Sequence, residues 1–155
     1  MRATTLLGCV LLAAGCGTKE SPPAADTATP APAAAAAPAP VSLESVAGTW
    51  NFRVMGMDND STLTTHVLTA TADPAGWSFL QPNGEKVAVR NVVAAGDSIT
   101  TVAGPFSSGV MRGRRVREMN TVYRMSDGKL VGVVTARYES GADSVRQFRL
   151  EGTKQ

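Results

Sequence analysis

Cysteine is almost missing from this 155-residue chain: the two present, Cys9 and Cys16, lie close together near the N-terminus. Nothing after Gly17 carries a thiol, which excludes structural disulfides, thiolate zinc sites and cysteine nucleophiles from whatever folds there. Histidine is nearly missing too. The single one, His66, sits within an alternating stretch and reads as an outward strand residue. One imidazole without cysteines or clustered carboxylates makes no zinc site. There is no Gly-x-Ser-x-Gly, so Ser107 and Ser108 lack the setting of a serine nucleophile. The expectation is a protein that is not an enzyme and needs neither metal nor cofactor. Long apolar runs are absent as well. The longest nearly uncharged one, Ala3–Ala14, is about a dozen residues, where a spanning helix needs roughly 20. No stretch sustains apolar residues at i, i+3, i+4 and i+7, so no confident helix is expected.

What is there begins with a short export signature. Met1 and Arg2 give a positive start, Leu6 to Leu12 an apolar heart, and Leu12-Ala13-Ala14-Gly15-Cys16 a small-residue boundary ending in a thiol. This resembles the lipobox of bacterial lipoproteins, although Ala13 stands where that family prefers Leu. A rival box, Leu6-Leu7-Gly8-Cys9, leaves too short an apolar segment before the cut. The resemblance implies a signal peptide over residues 1–15, diacylglyceration of Cys16 and anchoring in a membrane. Two or more acyl chains hold where one is marginal. Gly17, in place of an inner-membrane retention Asp, points by the same resemblance to the outer membrane, facing periplasm or exterior.

From Cys16 to about residue 46 the chain is Ala, Pro, Thr and Ser, with Ser21-Pro22-Pro23 and Pro30-Ala31-Pro32 marking extended backbone. Pro32 and Pro38 fence in Ala33 to Ala37, too few residues for a helix that stands alone in water. A disordered tether reaching at most ~90 Å is expected, with no binding motif of its own. Residues 47–155 then form one domain. The charge is uneven: residues 17–104 carry four basic and eight acidic groups, residues 105–155 ten basic and five acidic.

In the domain, Val, Thr, Ile and aromatic residues alternate with polar ones, and turn signals such as Asp73-Pro74-Ala75-Gly76, Asn83-Gly84, Gly96-Asp97, Asp127-Gly128 and Gly141-Ala142-Asp143 recur. This predicts eight strands near 48–57, 61–72, 76–81, 86–94, 97–103, 115–126, 129–139 and 143–151. Trp50, Phe52 and Val54 share one face of the first; Val87, Val89 and Val93 share one face of the fourth. Phe148 and Leu150 share one face of the last. The stretch Leu130–Ala136 is apolar on both faces, as a doubly covered strand or an interface strand would be. Short consecutive hairpins predict an all-β fold, an antiparallel eight-stranded up-and-down meander closed into a barrel, with a β-sandwich as the alternative.

Gly48-Thr49-Trp50 opens the first strand and resembles the Gly-x-Trp start of lipocalins and fatty-acid-binding proteins. The resemblance implies a lipocalin-like barrel with Trp50 closing one end and a last-strand arginine, Arg146 or Arg149, packed across it. Thr121-Val122-Tyr123 is similar to the lipocalin Thr-Asp-Tyr motif without its Asp, and the C-terminal helix and helical lid of those families are missing. A barrel of eight strands is filled by side chains or holds one small ligand. The aromatic residues Trp50, Phe52, Trp77, Phe79, Tyr123 and Tyr138 are either core or the walls of an apolar cavity. Thr65, Thr69, Thr121, Gly132 and Ala136 are small positions read as inward. Arg112, Arg114, Arg115 and Arg117 crowd the end of the long 104–113 loop. They are a solvated basic stretch or an anion site for lipid phosphates or an acidic protein face. Nucleic acid is not an expected partner, since no aromatics interleave with the arginines. Two functions stay open: a binding module for a small hydrophobic or amphipathic ligand, and a filled barrel that meets an envelope partner.

Overall fold

Left-handed turn residues set the reversals. Asp127 and Gly128, at φ 50° and 74°, form a two-residue turn whose twist matches the strands it joins. The computed structural model describes residues 40–140 and 144–155. The signal segment, Cys16, the tether up to residue 39 and the turn at Gly141-Ala142-Asp143 lie outside the described residues. Within them are nine strands: β1 Gly48–Met55, β2 Thr62–Ala70, β3 Ser78–Leu80, β4 Lys86–Ala95, β5 Ser98–Ala103, β6 Phe106–Ser107, β7 Arg115–Ser126, β8 Lys129–Tyr138 and β9 Val145–Lys154. A single 3₁₀ turn, Pro74–Gly76, is capped by Asp73, whose carboxylate accepts from the Ala75 amide at 2.9 Å.

Every pairing is antiparallel. The order runs β1 to β5, passes directly from β5 to β7, and returns through β8 and β9 to β1. The result is a closed eight-stranded up-and-down barrel, lipocalin-like in architecture, and not a sandwich. The short β6 is an extra strand paired only with the start of β7. Strand β9 runs three residues beyond its predicted end, to Lys154.

Alternation places Trp50, Phe52 and Val54 of β1 inside, opposite Leu68, His66 and Thr64 of β2. That register corrects three readings. His66 faces the interior. Thr65 and Thr69, offered as inward, are exposed. Gly132 is on the inner face but leaves no volume, because a Cβ there would collide with the Val122 carbonyl of β7. In β4 a bulge between Arg90 and Val93, with Asn91 at φ 52°, shifts the alternation by one residue. Val92 is therefore buried, while Val93, predicted inward, is 55% exposed. On β8 only the inner face is covered, and Val133 points out to solvent.

One end of the barrel is shut. Val46 is fully buried there, Val41 and Leu43 pack against the core, and the Val41 amide bonds to Gly96 O at 2.7 Å. Ordered packing thus begins a few residues before the composition changes, because these three apolar side chains are enough to dock the last stretch of an otherwise polar segment. Trp50 donates its indole N–H to Val46 O at 2.9 Å, which ties the plug to the first strand. The cation over the Trp50 ring is neither Arg146 nor Arg149 but Lys154, directly opposite on β9, its Nζ 5.5 Å from the ring centroid. Arg149 reaches instead to the β1–β2 loop, bonding Gly56 O at 3.1 Å, Asn59 O at 2.7 Å and Asp60 at 2.8 Å.

Candidate functional site

The barrel interior is layered. At the plugged end, Trp50 and Trp77 are spent on structure, the Trp77 indole donating to Thr71 O at 2.7 Å. At mid-height Phe52 stacks on His66, centroids 5.1 Å apart with planes within 10°, and Tyr123 tilts against Phe52 at 5.6 Å. Phe79 lies 5.3 Å from His66 on its other side and meets Phe106 edge-on at 5.2 Å. This aromatic column fills the middle of the barrel. Burial pushes the Tyr123 phenol up to about 12, with the Thr121 and Thr101 hydroxyls opposing that rise. The Thr121 Oγ1 nevertheless meets no partner at hydrogen-bonding geometry.

The opposite end is covered by the loop from Gly104 to Arg114. Phe106 is buried, and Val110 and Met111 pack onto the core. Polar contacts fasten the loop across the barrel mouth. Gln81 donates to Ser107 O at 3.0 Å, the Glu85 carboxylate accepts from the Ser107 amide at 3.2 Å, and the Ser108 and Tyr138 hydroxyls lie 3.4 Å apart. Gly109 sits where a Cβ would press on Thr64 and Gln81, 3.1 and 3.2 Å away, so the loop backbone closes down on β2 and the β3–β4 turn.

Beneath this lid is an apolar cavity of about 60 Å³. Its walls come from β1, β2, β3, β7, β8 and β9 and from the loop itself. They include Phe79, Phe106, Val134 and Phe148, with Thr64, Thr65, His66, Gln81, Ser108 and Tyr138 as polar members, and among the described residues no Lys, Arg, Asp or Glu. Of the six aromatic residues singled out from the sequence, Phe79 and Tyr138 line it; Phe52 and Tyr123 belong to the column, and the two tryptophans to the plugged end. Sequence reasoning missed His66 as a lining residue. The signal was present, since His66 shares the period of Leu68 and Ala70, but only the register with Phe52 shows which face that is. Because β3 has three residues, β2 above Val67 has no β3 partner. There Thr65, His66 and Gln81 border both the cavity and a groove on the outside of the wall.

His66 is the chemical oddity. Phenylalanines cover its ring, its Nε2 is buried, and that atom has no hydrogen-bond partner among the described residues. Burial lowers its pKa to about 4, so the imidazole is neutral at physiological pH.

The arginines do not converge. Arg114 lies over the Tyr138 ring, 4.7 Å from guanidinium carbon to centroid, and donates to Ser140 O. Arg115 pairs with Glu139 at 3.4 Å. Arg112 and Arg117 are exposed and form no ion pair among the described residues. Two of the four thus hold the lid's base, and two face solvent. No family model, curated protein or solved structure matches this chain.

Proposed function

We propose that the chain is a membrane-anchored envelope lipoprotein whose barrel is a lipocalin-like binding module for a small, predominantly apolar molecule. The anchoring rests on the lipobox-like run ending at Cys16. The binding reading rests on one observation: a partly open apolar space under a fastened lid, walled without a charged side chain among the described residues. Cavities that open under a loop at a barrel mouth are common ligand sites, and apolar walls with few polar groups are their usual make-up. The 60 Å³ volume limits the ligand to a small molecule or to one that displaces the lid. It speaks against a long-chain lipid held wholly inside.

That same small volume favours a second reading, a filled barrel that meets an anionic lipid or an acidic envelope protein through Arg112 and Arg117. Native mass spectrometry of the full chain, purified from an envelope extract without delipidation, separates the two. A discrete added mass lost on denaturation supports the binding module. A clean apo mass, together with no enhancement of a hydrophobic fluorescent probe, supports the filled barrel.

A further inference from the structure

We propose that the molecule bound under the lid is an uncharged alcohol or phenol whose hydroxyl meets Nε2 of His66. This rests on the binding reading above and names the chemistry of the same site.

Two observations carry it. The first is the orphaned Nε2. A buried polar atom without a partner is destabilising, so such atoms in folded proteins are normally satisfied by something. Phe52 and Phe79 occupy the sides of the imidazole, and neither offers a hydrogen-bonding group. His66 is one of the residues that line the cavity, and its covered Nε2 is reached from that side once a ligand displaces what covers it. The second is the make-up of the walls. With no Lys or Arg among the described residues that line the space, a carboxylate or phosphate would be buried without a counter-charge, and with no Asp or Glu among them the same holds for an amine. The ligand's polar group is therefore neutral. A neutral imidazole presents Nε2 as a donor in one tautomer and an acceptor in the other. A hydroxyl both donates and accepts, so it satisfies either, whereas an ether or a ketone satisfies only one. The lowered pKa of His66 fits, since a neutral ring suits a neutral partner.

Three matched probes test this on the full chain at pH 7: phenol, toluene and benzoate, titrated by calorimetry and by ¹⁵N NMR of the imidazole. Phenol is expected to bind roughly tenfold more tightly than toluene, the worth of one hydrogen bond at a buried acceptor. It is also expected to shift the Nε2 resonance, and benzoate is expected not to bind. His66→Phe, which keeps the stacking surface, is expected to bind phenol and toluene equally. The wild-type comparison stands even where that variant does not fold. Equal binding of phenol and toluene by the wild type, with no Nε2 shift, overturns the hydroxyl assignment and leaves the pocket standing. So does an Nε2 shift already typical of a bonded water and unmoved by saturating phenol. Failure of all three probes to bind overturns the pocket and, with it, this proposal.

Discussion

At the residue scale, His66 links the interior to pH. Its imidazole is held neutral by burial, with a pKa of about 4 against 6.5 in the unfolded chain. Phe52 and Phe79 pack against it, and no charged side chain among the described residues lines the cavity on which it borders. As pH falls through 6.5 the unfolded chain takes up a proton that the folded one refuses. This stability is thus fully present above about pH 6.5, declines towards pH 4 and changes no further below it. The loss between pH 7 and pH 4 is on the order of 3 kcal/mol. His66→Gln is expected to flatten that part of the profile relative to the wild type, as read from urea midpoints at several pH values. Exposed carboxylates titrate alike in both proteins and cancel in the difference. A second residue-scale expectation concerns Gly152. A Cβ there would lie 2.5 Å from the Phe52 ring. Overpacking of this kind costs about 1–3 kcal/mol, so Gly152→Ala is expected to lower the thermal midpoint.

At the element scale, the lid is a loop held by a few polar contacts over an apolar floor, so it is expected to open more readily than the barrel unfolds. Gln81→Ala removes the donor to Ser107 O and frees the Gly109 backbone beside it. Hydrogen exchange at the amides of Ser107, Val110 and Met111 is expected to speed up several-fold, with the β7–β8 amides unchanged. Equal acceleration in both places would mean that the lid and the barrel open as one unit. Most of the strands were legible in the sequence, because alternation and Asn-Gly, Gly-Asp and Asp-Gly turns are local signals. What escaped were shifts of one residue. Asn91 is an ordinary polar residue in a valine-rich strand, and nothing local marks it as the bulge that sends Val92 inward and Val93 out. The inward face of β2 was misjudged for a related reason. Thr64 to Thr69 alternates weakly, and only pairing with Phe52 and Trp50 decides which residues look in. Lys154 over Trp50 lay beyond the predicted end of its strand, so an arginine nearer the centre of β9 took its place in the expectation.

At the scale of the whole molecule, the ends of the barrel have different roles. Val41–Val46 plugs the closed end, where the chain arrives from the N-terminal segment; the lid, the cavity and the exposed Arg112 and Arg117 lie at the other end. Lys154 over Trp50 and the indole bond to Val46 O hold the plugged end without any help from a lipid or a membrane. The barrel's closure by β9 on β1 likewise uses only residues after Gly48. Folding and anchoring are therefore expected to be separable. Cys16→Ser removes the one thiol to which the lipobox-like sequence would direct acyl chains and changes none of the residues that build the barrel. The variant is expected to leave the membrane fraction for the soluble one, with its β-sheet circular dichroism and thermal midpoint within about 1 °C of the lipid-free wild-type domain, since every residue of the barrel and its plug is unchanged. Persistence in the membrane fraction after a high-salt wash, which screens the arginine end, would show that the chain is held by something other than a lipid on Cys16. Release only by that wash would place the attachment at Arg112 and Arg117 and shift the balance from the pocket to the basic rim.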